Sequence, residues 1–428
     1  MRLVKTSMLN AIAVSVKMLA MLIINKVLAL YVGPAGYAVV GQFQNAIQIM
    51  LSVASGAFNA GIVKYTAEYN TPEDKERLID IWRSAGSISI ICTLVVAFVS
   101  YIGSSYWSGY FFNSPDYGNI FKVFALTIIF FVMNNLLISI LNGKKEIKSY
   151  VAVNVSGSLI SVILIFILVN FYGLYGVLLS LAIYQSVTFF VSLYICYQKS
   201  WFKFKYFLGK IDKTAFLKLK NYTVMALTSA ICIPLCHMAI RQYLGNNLGW
   251  DSAGYWEAMW RISSIYLMFV TSTLSFYYLP RLSELKNSSL IKKEIFKGYK
   301  YILPCTAVLS SLVYFSKGII VPLLFSEEFY PIKELFLWQL VGDSLKIGSW
   351  IVAYTVLAKS MTKFYIISEI FSSFCFYFLT TYFTNSMGLE GVAFAYAVNY
   401  LFYWVVVFLY VFYRLSVTGE SNENTVTG

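Results

Sequence analysis

Two lysines interrupt the first long apolar stretch of the chain. Lys17 and Lys26 lie within SVKMLAMLIINKVLALYVGPAGY, residues 15–37, which is otherwise apolar enough to cross a bilayer. A lysine near the middle of a membrane helix costs about 2.5–3.5 kcal/mol on insertion scales, so intramembrane charges usually have a function. Their spacing of nine residues places the two side chains on opposite helical faces. Lys17, near mid-bilayer, needs protein, water or an anion beside it, whereas Lys26 lies close enough to the end of the span to reach the membrane interface.

Polar side chains form a stripe along the next apolar segment. Their spacing of three and four residues keeps them on one face of a helix. Across a bilayer such a face must meet protein or a water-filled cavity. Hydrogen bonding between helices is the alternative, which we favour for isolated Ser or Thr but not for the amides. The stripe consists of Gln42, Asn45, Gln48, Ser52, Ser55 and Asn59.

Ionisable residues recur in the apolar segments of the second half. Glu257 and Arg261 are four residues apart and either pair with each other or line a cavity. Asp343 and Lys346 allow the same two interpretations. Glu369 has no obvious local partner in the sequence, so its protonation within the membrane is one interpretation.

Cys232, Cys236 and His237 lie close together in the sequence. Their spacing matches no standard zinc pattern, so we predict no metal site. All six cysteines fall inside predicted spans, and a disulfide framework is not expected. His237 shares a helical face with Arg241, one turn beyond Pro234, which is expected to kink the helix.

The composition defines the elements that must position these residues. The 428-residue chain is 59% hydrophobic and 12% charged, whereas soluble domains are about 25% charged. Apolar runs recur at the length that a membrane helix needs, and alternating strands are absent, so we predict an all-α integral membrane protein with about twelve transmembrane helices. The predicted spans are 7–31, 37–62, 84–106, 120–141, 150–170, 174–198, 222–244, 252–279, 298–316, 331–357, 364–384 and 388–413.

The net charge of +13 has a distribution that argues against nucleic acid as a partner. Most of the basic residues fall in alternate loops, including the runs 199–220 and 281–300. By the positive-inside rule those loops and both termini are cytoplasmic. The basic excess also favours contact with anionic membrane lipids.

Self-similar segments indicate an internal duplication. GLYGVLLSLAI at 173–183 matches GLEGVAFAYAV at 388–398, an offset of 215 residues. We therefore predict two six-helix lobes, 1–213 and 214–415, related by an axis along the membrane normal with a central site, followed by a disordered cytoplasmic tail, 416–428. The polar stripe of the second span recurs in the eighth, where its counterparts include Glu257 and Arg261.

The first segment of the chain resembles the start of bacterial polysaccharide-lipid flippases. The resemblance is carried by VKTSMLNAIAVSVKMLAMLIINKVLALYVGPAGYAVVGQFQNAIQIMLSVASGAFNAGIVKYTAEY, with its two lysines, the GPAGY turn and GIVKY. These are the Wzx-type O-antigen translocases of the multidrug/oligosaccharidyl-lipid/polysaccharide (MOP) exporter superfamily. The resemblance implies an inner-membrane carrier that turns an undecaprenyl-pyrophosphate-linked oligosaccharide from the cytoplasmic to the periplasmic leaflet by alternating access.

The resemblance also implies roles for particular residues. Related flippases attract the pyrophosphate with basic residues, and the matching positions here are Lys17, Lys26, Lys64 and Arg261, to which the repeat adds Arg241. The amides Gln42, Asn45, Gln48 and Asn59 would bind sugar hydroxyls. Some relatives couple transport to H⁺ or Na⁺, for which Glu257, Asp343 and Glu369 are the candidates, and no other cofactor is expected. An O-antigen polymerase and a chain-length regulator are the protein partners that the family implies.

Other functions remain open at this stage. A cation-coupled drug antiporter of the same superfamily would favour acids and aromatics for cationic cargo, and the intramembrane basic residues argue against it. A polysaccharide polymerase usually needs a large periplasmic loop, and a glycosyltransferase needs acidic or metal-binding loop motifs. The sequence contains neither. A non-catalytic scaffold would have no use for polar stripes through the bilayer.

Overall fold

The protein is described by a computed structural model that covers residues 2–112 and 114–424. Side chains are described throughout these ranges except at residues 2–10, 220–222, 276 and 418–424. These residues form helices and no strand. A π-helical turn, Leu274–Tyr278, joins α9 to α10, and short 3₁₀ helices are Pro115–Tyr117, Phe204–Tyr206 and Glu327–Phe329. The α-helices are α1 (Arg2–Tyr31), α2 (Gly33–Ala54), α3 (Asn59–Glu68), α4 (Lys75–Ile102), α5 (Ser104–Phe112), α6 (Gly118–Gly143), α7 (Ile147–Tyr197), α8 (Lys213–Leu248), α9 (Trp250–Thr273), α10 (Leu279–Glu284), α11 (Ser288–Phe315), α12 (Lys317–Leu324), α13 (Ile332–Ala358), α14 (Thr362–Met387) and α15 (Glu390–Asn424).

The helices account for the predicted membrane spans. Within the described ranges, eight helices are long and apolar enough to cross a bilayer, and ten spans result when α2–α3 and α11–α12 are each taken as one bent span. Helix α7 has 51 residues, more than twice the length that one crossing needs, and it is broken at Gly173. Helix α9 has 24 residues, and its charged side chains lower its hydropathy. The prediction of an all-α membrane protein with about twelve spans is confirmed.

The chain turns back at two glycines that occupy equivalent positions in the repeat. Gly173 has φ 54° and ψ −132°, and Gly388 has φ 63° and ψ −140°. This region of backbone space is open almost only to glycine, which explains both reversals. Three residues after each turn, a Cβ on Gly176 or Gly391 would lie 2.0 or 2.4 Å from a carbonyl oxygen of the preceding helix. The sequence repeat is thus a repeated structural turn that requires glycine twice.

The first compact unit comprises Met1–Val32 and Val39–Leu235. In it α1 and α6 pack against α7, and α6 also packs against α3 and α4. The bent span α2–α3 turns by 47° at a break that includes Gly56 and Ala57, both with positive φ. A buried core next to this bend contains Trp82, whose Nε1 donates to Thr66 Oγ1 at 2.9 Å.

The second compact unit comprises Gly33–Ala38 and Cys236–Gly428. Helix α13 packs against α9, α11 and α15, and α14 packs against α15. The two units divide within α8, whereas the predicted lobes, 1–213 and 214–415, divide at its start, so that assignment stays a prediction. The predicted disordered tail, 416–428, lies partly outside the described residues, and α15 continues to Asn424.

Candidate functional site

A buried carboxylate in the second unit joins two arginines from neighbouring helices. Glu257 of α9 accepts a hydrogen bond from Arg241 Nη1 of α8 on one oxygen. Its other oxygen accepts from Arg261 Nε, one turn further along α9, at 2.9 Å. The side chains are 7%, 2% and 11% exposed for Glu257, Arg241 and Arg261. Of the two interpretations of the Glu257–Arg261 spacing, the structure contains the ion pair, which is part of a triad with Arg241.

Aromatic rings complete the surroundings of this Arg241–Glu257–Arg261 triad. The Arg261 guanidinium lies 4.8 Å from the ring centroid of Tyr37, and that of Arg241 lies 5.7 Å from Trp256. Tyr37 is fully buried and comes from the Gly33–Ala38 segment of the same unit. Two guanidinium groups and one carboxylate leave the triad with one excess positive charge. An anion is the ligand that such a site favours.

Asp343 on α13 is held by phenols. Tyr266 of α9 donates to its Oδ2 at 2.6 Å and Tyr396 of α15 donates to its Oδ1 at 2.9 Å. Asp343 itself is fully buried. Among the residues that the structure describes, no Asp343–Lys346 contact falls within 4.0 Å, so the ion pair that their spacing allowed is not formed.

Lys346 and Glu369 lie in the same unit. The Lys346 ammonium lies over four aromatic rings, and both Asp343 and Glu369 act on it electrostatically. Glu369 on α14 is half-buried. Its charged neighbour is Lys346 of α13, which is distant in the sequence and so gave Glu369 no local partner. The cage around Lys346 was missed in the sequence because its rings come from three helices. Nothing in the local spacing indicates it.

His237 packs among aromatic side chains. Its ring lies edge-on to Trp260, with 4.3 Å between centroids, and also contacts Trp256 and Phe376. The neighbouring Cys236 Sγ donates to the carbonyl oxygen of Ser373 at 3.1 Å. Within the described residues, no three His, Cys, Asp or Glu side chains come together in a way that could hold a metal ion. Packing and hydrogen bonding account for this cluster.

The sequence-predicted residues of the first unit differ in exposure. Lys17 is exposed, whereas Lys26 is half-buried beside the buried Asn25. Lys64, near the end of α3, is exposed with its ammonium 5.0 Å from the Tyr65 ring centroid. The binding roles of the three lysines stay predictions.

The polar stripe of α2 is divided by burial. Gln42 is only 2% exposed and Ser55 is also buried. Asn45 is half-buried and its Nδ2 donates to the carbonyl oxygen of Pro234 at 3.4 Å. Gln48 and Asn59 are exposed. Helix α2 ends at Ala54, so Ser55 lies in the break and Asn59 begins α3, and the prediction that all six side chains share one face of one helix is wrong at these two positions.

A lysine–aromatic cluster in the first unit was not identified from the sequence. Lys218 Nζ donates to the Tyr69 hydroxyl at 2.6 Å, and Lys144 Nζ donates to Asn70 Oδ1 at 2.7 Å while lying 5.4 Å from the Trp82 ring centroid. Burial lowers the pKa of Lys144, which lies just beyond the end of α6. The sequence gives no local signal for this cluster, because only tertiary contacts connect Tyr69, Asn70 and Trp82 to Lys144 and Lys218.

Comparisons with known proteins assign the chain to a family. A profile of the family described as "Polysaccharide biosynthesis protein" matches residues 3–286. The lipid III flippases of Escherichia coli (strain K12) and Shigella flexneri are each 28% identical over 405 residues, covering 94% of this chain and 97% of the relative.

The fold is similar to that of a solved transporter. An inward-facing multidrug resistance MATE family transporter of the MOP superfamily aligns with a TM-score of 0.76 at 16% sequence identity, covering 94% of this chain and 95% of the other. At that identity the likeness concerns the fold alone. The chain therefore belongs to the family described as "Polysaccharide biosynthesis protein".

Proposed function

We propose that this protein is a flippase for lipid-linked glycans. Its cargo is an oligosaccharide of the O-antigen repeat-unit type on undecaprenyl pyrophosphate, moved from the cytoplasmic to the periplasmic leaflet of a bacterial inner membrane by alternating access. The family assignment and the relatives named as lipid III flippases support a lipid-linked glycan as cargo. The choice of an O-antigen unit rests on the resemblance of the N-terminal segment.

The observation that carries the proposal is the excess positive charge of the Arg241–Glu257–Arg261 triad. A pyrophosphate head group cannot enter hydrocarbon unaided, and guanidinium groups replace its hydration with charge-assisted hydrogen bonds. Arg261 is the more exposed of the two arginines and is the group we assign to the phosphates. Glu257 is shared by Arg241 and Arg261, so its single negative charge compensates only one of the two guanidinium charges.

The remaining polar residues suit a carbohydrate. The exposed amides Gln48 and Asn59 can donate to and accept from sugar hydroxyls without demanding one particular sugar. The exposed lysines Lys17 and Lys64 add positive charge in the first unit. The polyprenyl chain stays in the bilayer because it is as apolar as the lipid tails.

A drug antiporter is the second candidate, favoured by one feature of the second unit. Lys346 lies in an aromatic cage of the kind that also binds organic cations, with Asp343 and Glu369 nearby. The cage is already filled by the lysine, however, and Asp343 is fully buried under two phenols. The Arg241–Glu257–Arg261 triad carries an excess positive charge, which favours anionic cargo.

Complementation in a bacterial host lacking its own flippase tests the proposal. We expect this chain to restore surface glycan, measured with the amount of lipid-linked precursor in the same cells. An empty vector controls for background export, and drug susceptibility in an efflux-deficient host tests the antiporter. Normal precursor synthesis with no restored glycan, together with increased drug resistance, would reverse the assignment. Co-purification with an O-antigen polymerase or chain-length regulator tests the proposed protein partners.

A further inference from the structure

A lysine inside the second unit is enclosed by aromatic rings. Helix α9 supplies one ring, α13 another and α15 two, so three helices build the enclosure. A cation within about 6 Å of an aromatic centroid is attracted by the ring, and the attraction is stronger when water is excluded. Lys346 Nζ lies 4.7 Å from the centroid of Trp260, 5.0 Å from Trp350, 5.4 Å from Tyr400 and 5.8 Å from Tyr396.

Packing fixes the cage independently of the lysine. Tyr396 lies edge-on to Tyr400 at 4.9 Å and to Trp260 at 5.4 Å between centroids. Its hydroxyl is bonded to Asp343. Gly342 makes room for the Tyr396 ring, because a Cβ at that position would lie 2.2 Å from Cδ1 of the tyrosine. The cage walls are therefore preorganised by contacts that do not include Lys346.

The acidic groups near the cage need a positive charge. Asp343 on α13 and Glu369 on α14 both act on the Lys346 ammonium. Carboxylates buried in a membrane protein are costly unless a positive charge or a proton accompanies them. Two phenols donate hydrogen bonds to the oxygens of Asp343. The Lys346 ammonium therefore compensates the charge of Asp343 from within the cage and without a direct ion pair.

We propose that the cage is a binding site for a monovalent organic ammonium ion, which the chain fills with its own Lys346. The side chain acts as a resident counterion for Asp343 and Glu369. A carrier that bound an exchangeable metal cation beside Asp343 and Glu369 would leave the place of the cation open. In this protein the covalently attached ammonium of Lys346 occupies that place. The acidic cluster consequently takes no sodium ion, and any ion that it exchanges is a proton.

A cavity-filling experiment tests the site. Lys346→Ala removes the atoms of one n-propylammonium ion while leaving the cage walls. In the purified detergent-solubilised variant, n-propylammonium chloride at ten times its Kd should raise the Tm by about 2–4 °C, whereas equal NaCl should not. Lys346→Met, which keeps the cage filled without a charge, is the matched control and should show no such rise. A Lys346→Ala protein that responds equally to both salts, or to neither, overturns the proposal.

A second measurement uses the wild-type chain and does not depend on the variant folding. The Tm is compared in NaCl and in N-methylglucamine chloride at equal ionic strength, for the wild type and Asp343→Asn. We expect no sodium-specific difference that depends on Asp343. A sodium-specific rise of about 2 °C or more that Asp343→Asn abolishes would place an exchangeable metal at the cluster and overturn the proposal. Neither Tm measurement involves glycan transport, so the cage proposal is tested independently of the proposed function.

Discussion

Replacing Glu257 by glutamine removes the single negative charge that two buried arginines share. The substitution keeps the shape of the side chain, but the triad changes from one excess positive charge to two. Arg241 is 2% exposed at its side chain and Arg261 11%, so water cannot solvate them. Removing one partner of a buried ion pair typically costs about 3–5 kcal/mol, because the other charge is left uncompensated.

That free energy converts into a measurable change in Tm. For large domains a loss of 1 kcal/mol lowers the Tm by about 2 °C, so Glu257→Gln should lower it by about 6–10 °C. Thermal unfolding of the detergent-solubilised protein, followed by the fluorescence of its nine tryptophans, measures the change. Asp80→Asn is the matched control, since the Asp80–Arg83 pair is 44% and 32% exposed and such pairs contribute at most about 1 kcal/mol.

The double variant Glu257→Gln/Arg241→Met identifies the cause. It returns the triad to one excess positive charge and should recover at least half of the lost Tm, so the two substitutions should be strongly non-additive. If Glu257→Gln lowers the Tm by less than about 2 °C, or the double variant falls by the sum of the single changes, the charge argument is wrong.

Three further predictions concern transport, titration and backbone geometry. Arg261→Ala should abolish restoration of surface glycan while membrane levels on immunoblots stay at wild type, and unchanged transport would remove Arg261 from the site. Burial lowers the pKa of Lys144, so the charged ammonium destabilises the folded state below the folded pKa, and this destabilisation is lost as the pH rises. Competitive acetylation followed by mass spectrometry should give a titration midpoint for Lys144 below about 10.4, and a midpoint at or above that value would contradict the prediction. Gly173→Ala should lower the Tm through a strain of about 1–3 kcal/mol, whereas Gly109→Ala, with open space at the new methyl, should be neutral or stabilising; equal effects would exclude strain.

Local sequence signals predicted most of the fold because each acts within one segment. The glycines at 173 and 388 marked two chain reversals through their shared context, and both have positive φ in the structure. The spacing of Glu257 and Arg261 gave their ion pair as one of two interpretations, since one helical turn separates them.

Features that depend on helix packing could not be predicted in this way. Arg241 joins the triad from another helix, 16 residues before Glu257, and no local rule places it there. The cage of Lys346 requires rings from three helices. Periodicity does not distinguish the buried Gln42 from the exposed Gln48, and it does not show that α2 ends at Ala54, before Asn59. Which side chains become buried depends on how neighbouring helices pack against them.

The distribution of charge within the second unit bears directly on which cargo the protein carries. The acidic cluster of Asp343 and Glu369 is served by its own ammonium, and Asp343 is fully buried. The triad keeps an excess positive charge, and its more exposed member is Arg261. A carrier of organic cations would need the reverse, with an acid exposed and the bases neutralised. Because the triad carries more positive than negative charge, its electrostatics favour an anionic head group such as a pyrophosphate.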